Sequence, residues 1–400
     1  MNISVSVVIP AYQAAHCVGA CLQSLLNQSY AEHIDEIILV DNGSNDATVE
    51  IAKEYDGVTV LVQPKKGAAA ARNMGIAHAT GDIICFTDAD CVPQLDWVES
   101  LCRPILLSKE VIGMKGTYLT NQKEIVARFV QIEYEDKYDL LRPEKYINFI
   151  DTYSAVYWRD VLLANEGGFD EGIFFAEDRE LAYRIASRGY KMAFEPNAIV
   201  YHLHSNSFLK YFKKKLFIGY WTAQTVRRFP QRGVKDSHTP QVLKIQMGLM
   251  LLFVASLAGA LFFGALAAVL PAFLWGGLAA ISGLLLLAFC ATTVPFVRKA
   301  WGKDKAVALA SPPLLAIRGI ALSLGYTWGV LRPTDLALKD PEPQAQPTSL
   351  LKKGVNAFGS TVGLFVTILM TPFKGKAKMR RMEPNEEAVD GQSPAELKKL

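Results

Sequence analysis

Apolar residues are arranged in two ways along this chain. Through the first hundred positions they come in short runs separated by polar turns. SVSVVIPAY from Ser4, EIILV from Glu36, VTVLV from Val58 and DIICFTD from Asp82 each have the length and β-branched content of a strand. Between them the spacing becomes helical. Val18, Cys21, Leu22, Leu25 and Leu26 share a face, TVEIAKEY follows a DNGSND turn in which Asn45 or Asp46 can cap, and Gly67 to Ala79 is Ala-rich. Strands alternating with helices predict an α/β fold with a doubly wound parallel sheet. Ligands on such sheets bind beyond the carboxyl ends of the strands, where Asp41, Asp88 and Asp90 fall.

The second arrangement is one long run. From Ile245 to Val297 there is no Asp, Glu, Lys or Arg. A spanning helix needs about 20 apolar residues, so residues 243–298 predict a membrane hairpin turning near LPAF, Leu270 to Phe273. Arg298, Lys299, Lys303 and Lys305 follow it, and a basic stretch precedes it. The positive-inside rule puts both ends in the cytoplasm. Residues 306–375 predict further membrane helices: Leu314 to Leu331, a third span or an interfacial helix, and Val355 to Phe373, a last span. DPEPQAQPTS is a linker, and 376–400 is expected to be a disordered cytoplasmic tail. MNISVSVVIP lacks the features of a signal peptide. The expected location is a multi-pass protein of the inner cell membrane with residues 1–235 in the cytoplasm.

Between these regions WVESLCRPIL and KEIVARFVQIEYEDKYDLL read as helices, and Ala176 to Tyr190 as a helix with an acidic entry. KMAFEPNAIVYHLHS reads as a strand pair carrying His202 and His204. Residues 206–235 interleave Lys213, Lys214, Lys215, Arg227, Arg228 and Arg232 with aromatics. Next to a spanning hairpin, that pattern predicts an interfacial helix against anionic headgroups. Charge adds one exclusion: 42 Lys and Arg against 39 Asp and Glu suggests no nucleic-acid partner. The six cysteines form no CxxC pair and read as reduced thiols.

The chemistry-bearing residues begin with Asp88 and Asp90. Like charges raise each other's pKa, so a pair of acids at a strand end suits a hard divalent cation, Mg²⁺ or Mn²⁺, that takes oxygen ligands and brings a phosphate. Glu177 and Asp178 open an acidic helix and offer a carboxylate to take a proton. His202 and His204, two apart after a strand, point to one side.

Together SVVIPAY…VDNGSND…AAARNMGIAHATGDIICFTDAD resembles the family 2 inverting nucleotide-sugar glycosyltransferases. The resemblance covers about residues 3 to 220. It implies the GT-A fold, a Rossmann-like mixed sheet, here followed by C-terminal transmembrane helices. It implies that Asp41 contacts the nucleobase with Pro10, Ala11 and Tyr12 around it, and that Arg72 holds the nucleotide. Asp88 and Asp90 would reach ribose and metal, with His202 matching a metal- or phosphate-binding position better than His204. Asp178 would be the general base and Glu177 its support, with Gly168, Phe169 and Asp170 on the acceptor side. Asn42 stands where the family usually has a second acid. Gln224 to Arg228 gives QxxRR, without the Trp of processive members. The expectation is transfer of a single sugar from a UDP- or GDP-sugar to a lipid-linked acceptor in cell-envelope glycan synthesis. The alternatives are a processive polysaccharide synthase and a non-catalytic nucleotide-sugar-binding scaffold. A degenerate scaffold should have lost the paired acids, and they are intact.

Overall fold

A computed structural model describes residues 3–334 except 109, 166–167, 235 and 267–270. The four expected strands form as β1 (Val5–Ala11), β2 (Ile34–Asp41), β3 (Val58–Val62) and β4 (Ile83–Thr87), linked by α1 (Val18–Leu26), α2 (Thr48–Lys53) and α3 (Ala68–His78). They pair in parallel in the order β3-β2-β1-β4. Their near-continuous Val, Ile and Leu content follows from burial on both faces. The N-cap of α2 is Ala47 rather than the expected Asn45 or Asp46; Asp46 Oδ1 accepts from the Thr48 amide in an Asx turn leading into the helix.

Four further strands make the sheet mixed. They are β5 (Cys91–Pro93), β6 (Val111–Leu119), β7 (Ser154–Trp158) and β8 (Lys191–His202), extending the order as β4-β7-β6-β8-β5. β7 runs antiparallel to β4 and β6, and β8 runs parallel to β6. The segment expected as a strand pair is therefore one strand. Pro196 does not break it because the β6–β8 ladder skips there, between Lys115↔Phe194 and Thr117↔Ile199, so no amide is missed. α4 (Trp97–Leu107), α5 (Ile125–Leu141), α6 (Arg159–Ala164) and α7 (Glu177–Ser187) complete the layers.

Five more helices follow among the described residues, the first formed by the basic stretch itself. They are α8 (Phe208–Arg228), the short α9 (Pro230–Val234), α10 (Gln241–Ala265) and α11 (Ala272–Lys303), and then α12 (Lys305–Leu331). Of these, α10, α11 and α12 are long and apolar enough to cross a membrane. α10 and α11 are the expected hairpin and stay largely uncovered, whereas the apolar window of α12 is 56% buried. The expected last span, Val355 to Phe373, lies outside the described residues.

α12 is buried because it lies along α8. Glycines set that crossing: a Cβ at Gly325 would sit 2.0 Å from the Leu216 carbonyl oxygen, and one at Gly329 2.5 Å from that of Tyr220. The Gln224 amide donates to the Gly329 carbonyl. With Arg228 on Asp170 and Glu180 and Lys215 on Glu133, much of the basic stretch is spent on internal pairing. Only Lys213, Lys214 and Arg227 of the six expected headgroup cations are left exposed by α8. Arg232, in α9, is part-buried.

Glu133 of α5 is 4% exposed and meets Arg318 of α12 at 2.8 Å and Lys215 of α8 at 3.0 Å. Arg318 also donates to Gln246 of α10, whose amide donates to Thr292 of α11. Burial alone would raise the Glu133 pKa, but Lys215 and Arg318 hold it at about 2. Removing one partner of such a group leaves a charge stranded. Arg318→Met should therefore lower the unfolding free energy of the detergent-solubilised protein by about 3 kcal/mol, and adding Glu133→Gln should return most of it. Thermal unfolding would decide this: an Arg318→Met protein as stable as the parent removes the clamp.

Candidate active site

The strand ends and the helix junction enclose one large cavity of about 1270 Å³. Pro10, Ala11, Tyr12, Asn42 and Gly67 line it together with Asp88, Asp90 and His202, and with Glu177 and Asp178, the former joined to Asp88 through Arg72. Gln13 and Ala176, at its edge, are the non-glycine residues with positive φ among the described residues, at 52° and 67°. Such strain costs of the order of 1 kcal/mol each and clusters at functional sites.

Arg72 organises the centre. It sits 5% exposed on α3 and reaches Asp88 at 2.8 Å with one nitrogen and Glu177 at 2.5 Å with the other. The guanidinium stacks over Phe169, 5.6 Å away. Glu177 is thereby committed to a structural pair, and its neighbour Asp178 is not. Burial pushes the Asp178 pKa up to about 7, with Glu177 and Asp151 adding negative charge against Arg72 and Arg179. A carboxyl raised into this range is suited to acid–base work near neutral pH.

The donor-side acids differ likewise. Asp88 faces Arg72, and Asp90 lies 3.3 Å from His202 Nε2. A hydrogen-bond chain stands behind His202 and orients its ring. The Gln131 amide nitrogen donates to the Tyr118 carbonyl, so its oxygen faces His204 Nε2 at 3.1 Å and accepts a proton there. Burial, with His202 and Lys214, pulls the His204 pKa down to about 2, so this ring is neutral and its Nδ1 is an acceptor. His202 Nδ1, 2.8 Å away, must then donate, and its Nε2 faces the Asp90 carboxylate, whose pKa, despite burial, the contact with His202 lowers. The same atoms are also placed to hold a metal ion. Asp90, Cys91 and His202 are close enough to share one, but burial raises the Cys91 thiol well above its usual range and disqualifies it. A carboxylate and an imidazole, with Asp88 nearby, suit a divalent ion that completes its shell with water and phosphate oxygens.

Other expected residues stand elsewhere. Asp41 is 2% exposed and turns its carboxylate to the amides of Gly43 and Ser44, while Asn42 lines the cavity and accepts from the Gly67 amide. Gly168, Phe169 and Asp170 do not line the cavity: Phe169 underlies Arg72, and Asp170 pairs with Arg228 at 2.8 Å. From the same loop Phe174 and Phe175 reach it instead. Gln131, Asp151, Lys137 and His238 also belong to this region and were not anticipated. No local motif marks them, because three of them reach the site only through the packing of α5 and the chain before α10.

Residues 6–162 match the profile described as Glycosyl transferase family 2. This domain belongs to glycosyl transferase family 2. The chain is 28% identical over 225 residues to glycosyltransferase AglE of Haloferax volcanii, covering 54% of this chain and 71% of that protein. It is 29% identical over 211 residues to the pre-mycofactocin glycosyltransferase of Mycobacterium tuberculosis, covering 49% of this chain but only 43% of that protein. Among solved structures it resembles the mannosyltransferase PcManGT from Pyrobaculum calidifontis in complex with GDP-Man and Mn²⁺. The TM-score is 0.48 at 18% identity, with 82% of this chain and 88% of that one covered.

The hydrogen-bond chain makes a measurable claim. His204→Leu removes the acceptor that orients His202 while leaving Asp88 and Asp90 in place. Mn²⁺ binding, followed by electron paramagnetic resonance, should weaken about 10- to 100-fold. Unchanged binding would show that the His202 ring is oriented by something else.

Proposed function

We propose that this is a membrane-bound inverting glycosyltransferase that moves a single sugar from a UDP- or GDP-sugar to a lipid-linked acceptor in cell-envelope glycan synthesis. The observation that carries the reading is the single cavity. It joins a strand-end pocket, paired acids and an Asp with a raised pKa to the junction of the apolar helices.

In this reading the nucleotide lies over Pro10, Ala11, Tyr12 and Asn42, with Asp41 shaping the turn beneath. A divalent ion, Mg²⁺ or Mn²⁺, held by Asp90 and His202 with Asp88 close by, would supply Lewis-acid stabilisation of the leaving diphosphate. Arg72 keeps Asp88 and Glu177 in register, and so sets the gap in which the sugar sits. Asp178 takes the proton of the attacking hydroxyl on the face opposite the leaving group, which gives inversion. Phe174 and Phe175 close the cavity edge against water. Arg228 and Gln224 are tied into the fold, so the QxxRR run offers no acceptor platform of the processive kind.

The test is direct. Asp178→Asn should lower transfer from nucleotide-sugar to a lipid extract by roughly 10²- to 10⁴-fold while nucleotide binding by calorimetry is unchanged. The sign of the pH effect follows from the raised pKa: the carboxyl is protonated below about pH 7 and useless as a base there. The parent's kcat/KM should rise with pH and level off above about 7. A flat profile, or an active Asp178→Asn protein, moves the base elsewhere; nucleotide binding without turnover on any extract would return the scaffold reading.

A further inference from the structure

The end of the cavity away from Pro10 and Tyr12 holds an unneutralised group of cations. Lys137 of α5 lies 3.1 Å from His238 Nε2 and over the Tyr134 ring at 4.9 Å. It makes no ion pair among the described residues, and neither does Arg179. Of the carboxylates nearby, Asp151 pairs with Lys115, Glu133 with Arg318 and Lys215, and Asp136 with Lys299; Asp178 lies beside Arg179, and Asp236 accepts the His238 and Thr239 amides.

His238 sharpens the picture. An ammonium can only donate, so His238 Nε2 accepts from Lys137 and the ring proton sits on Nδ1. His238 is 4% exposed, lines the cavity, and its Nδ1 has no hydrogen-bond partner. A buried donor without an acceptor is costly. Burial, then Lys137, Lys115, Arg179 and Lys215, hold the ring well below its usual pKa, so it is a neutral donor. The same burial, with Lys215, brings Lys137 down to about 7. The Phe149 ring lies 4.2 Å from that of His238 and 5.4 Å from the Arg179 guanidinium, which places this group beside Asp178. Beyond it the wall turns apolar, with Ile218 of α8, Leu243 and Met247 of α10 and Leu322 of α12.

We propose that Lys137, His238 and Arg179 bind the phosphate of a phosphorylated lipid whose hydrocarbon lies along Leu243, Met247 and Leu322. This rests on the glycosyl-transfer reading only in naming that lipid the acceptor. The missing acceptor for His238 Nδ1 and the missing countercharge for Lys137 are both supplied by phosphate oxygens. The apolar wall selects an amphiphile over a soluble phosphate.

The experiment uses the full chain in detergent and three probes: farnesyl phosphate, farnesol and inorganic phosphate. Farnesyl phosphate should bind, farnesol and inorganic phosphate should bind on the order of tenfold or more weakly, and Lys137→Met should lose a similar factor for farnesyl phosphate. Lys137→Arg should retain binding. Nucleotide affinity, measured on the same samples, should be unchanged in both variants, which also reports that they are folded. In the unsubstituted protein farnesyl phosphate should shield Lys137 from limited acetylation, read by peptide mass spectrometry. Equal affinity of parent and Lys137→Met, farnesol binding as well as farnesyl phosphate, or no shielding would overturn the site. Inorganic phosphate binding as tightly as farnesyl phosphate would overturn the lipid. A parent that binds no nucleotide would instead sink the glycosyl-transfer reading and leave the anion site to stand on its shielding.

Discussion

A buried carboxylate determines how this chain is assembled. Glu133 sits where α5, α8 and α12 meet, and a charge in that position is tolerated only with partners on it. Those partners come from two helices beyond the α/β layers, and Arg318 carries the connection on to α10 through Gln246. The layers and the helices therefore share a polar centre as well as an apolar one around Phe129, Tyr211, Phe289 and Leu314. The large cavity is a consequence. Its one wall is sheet and its other wall is helix, and each of them is fixed by the same ion pairs.

Arg72 plays the corresponding part inside the cavity. It joins the end of β4 to the start of α7, groups sixteen and more than a hundred residues away in sequence. By occupying Glu177 it makes two neighbouring carboxylates unequal. Removing Arg72 would do more than remove a charge near a nucleotide, since Asp88, Glu177 and the Phe169 beneath them would all lose their reference point. The loop from Gly168 to Ala176 is held from several sides: Asn73 on Phe169, Arg228 on Asp170 and Arg184 on the Gly168 carbonyl.

The legible part of the sequence was the part in which neighbours in sequence are neighbours in space. The four parallel strands, their helices and the acids at the strand ends follow from period and turn chemistry, and the apolar hairpin from length alone. β6 and β7 were not legible. VIGMKGTYL has glycines at Gly113 and Gly116 where Tyr157 and Ala198 press against the backbone, so the side chains that signal a strand are missing for a tertiary reason. The internal pairing of the basic stretch was hidden for a related cause. Lys215 and Arg228 look like a cationic surface until Glu133, Asp170 and Glu180 arrive from elsewhere in the chain. Gln131 and His238 carry no motif, since the proton positions they fix depend on partners 73 and 101 residues away.

The helices also bear on where an amphiphile would enter. α10 and α11 leave most of their apolar surface uncovered, and such a surface calls for an apolar medium. Where α11 ends and α12 begins, Lys299, Lys303 and Asp304 are each paired with α5, through Asp139, Glu135 and Arg128. That end of the hairpin is pinned to the α/β layers and cannot lie deep in hydrocarbon. Leu243 and Met247, the apolar cavity wall, belong to the first turns of α10, at the same end of the hairpin. The cavity thus opens at the level where polar layers give way to bare apolar helix. A ligand with a charged head and a hydrocarbon tail matches that boundary: the head meets Lys137 and His238, and the tail leaves along the helices without crossing water.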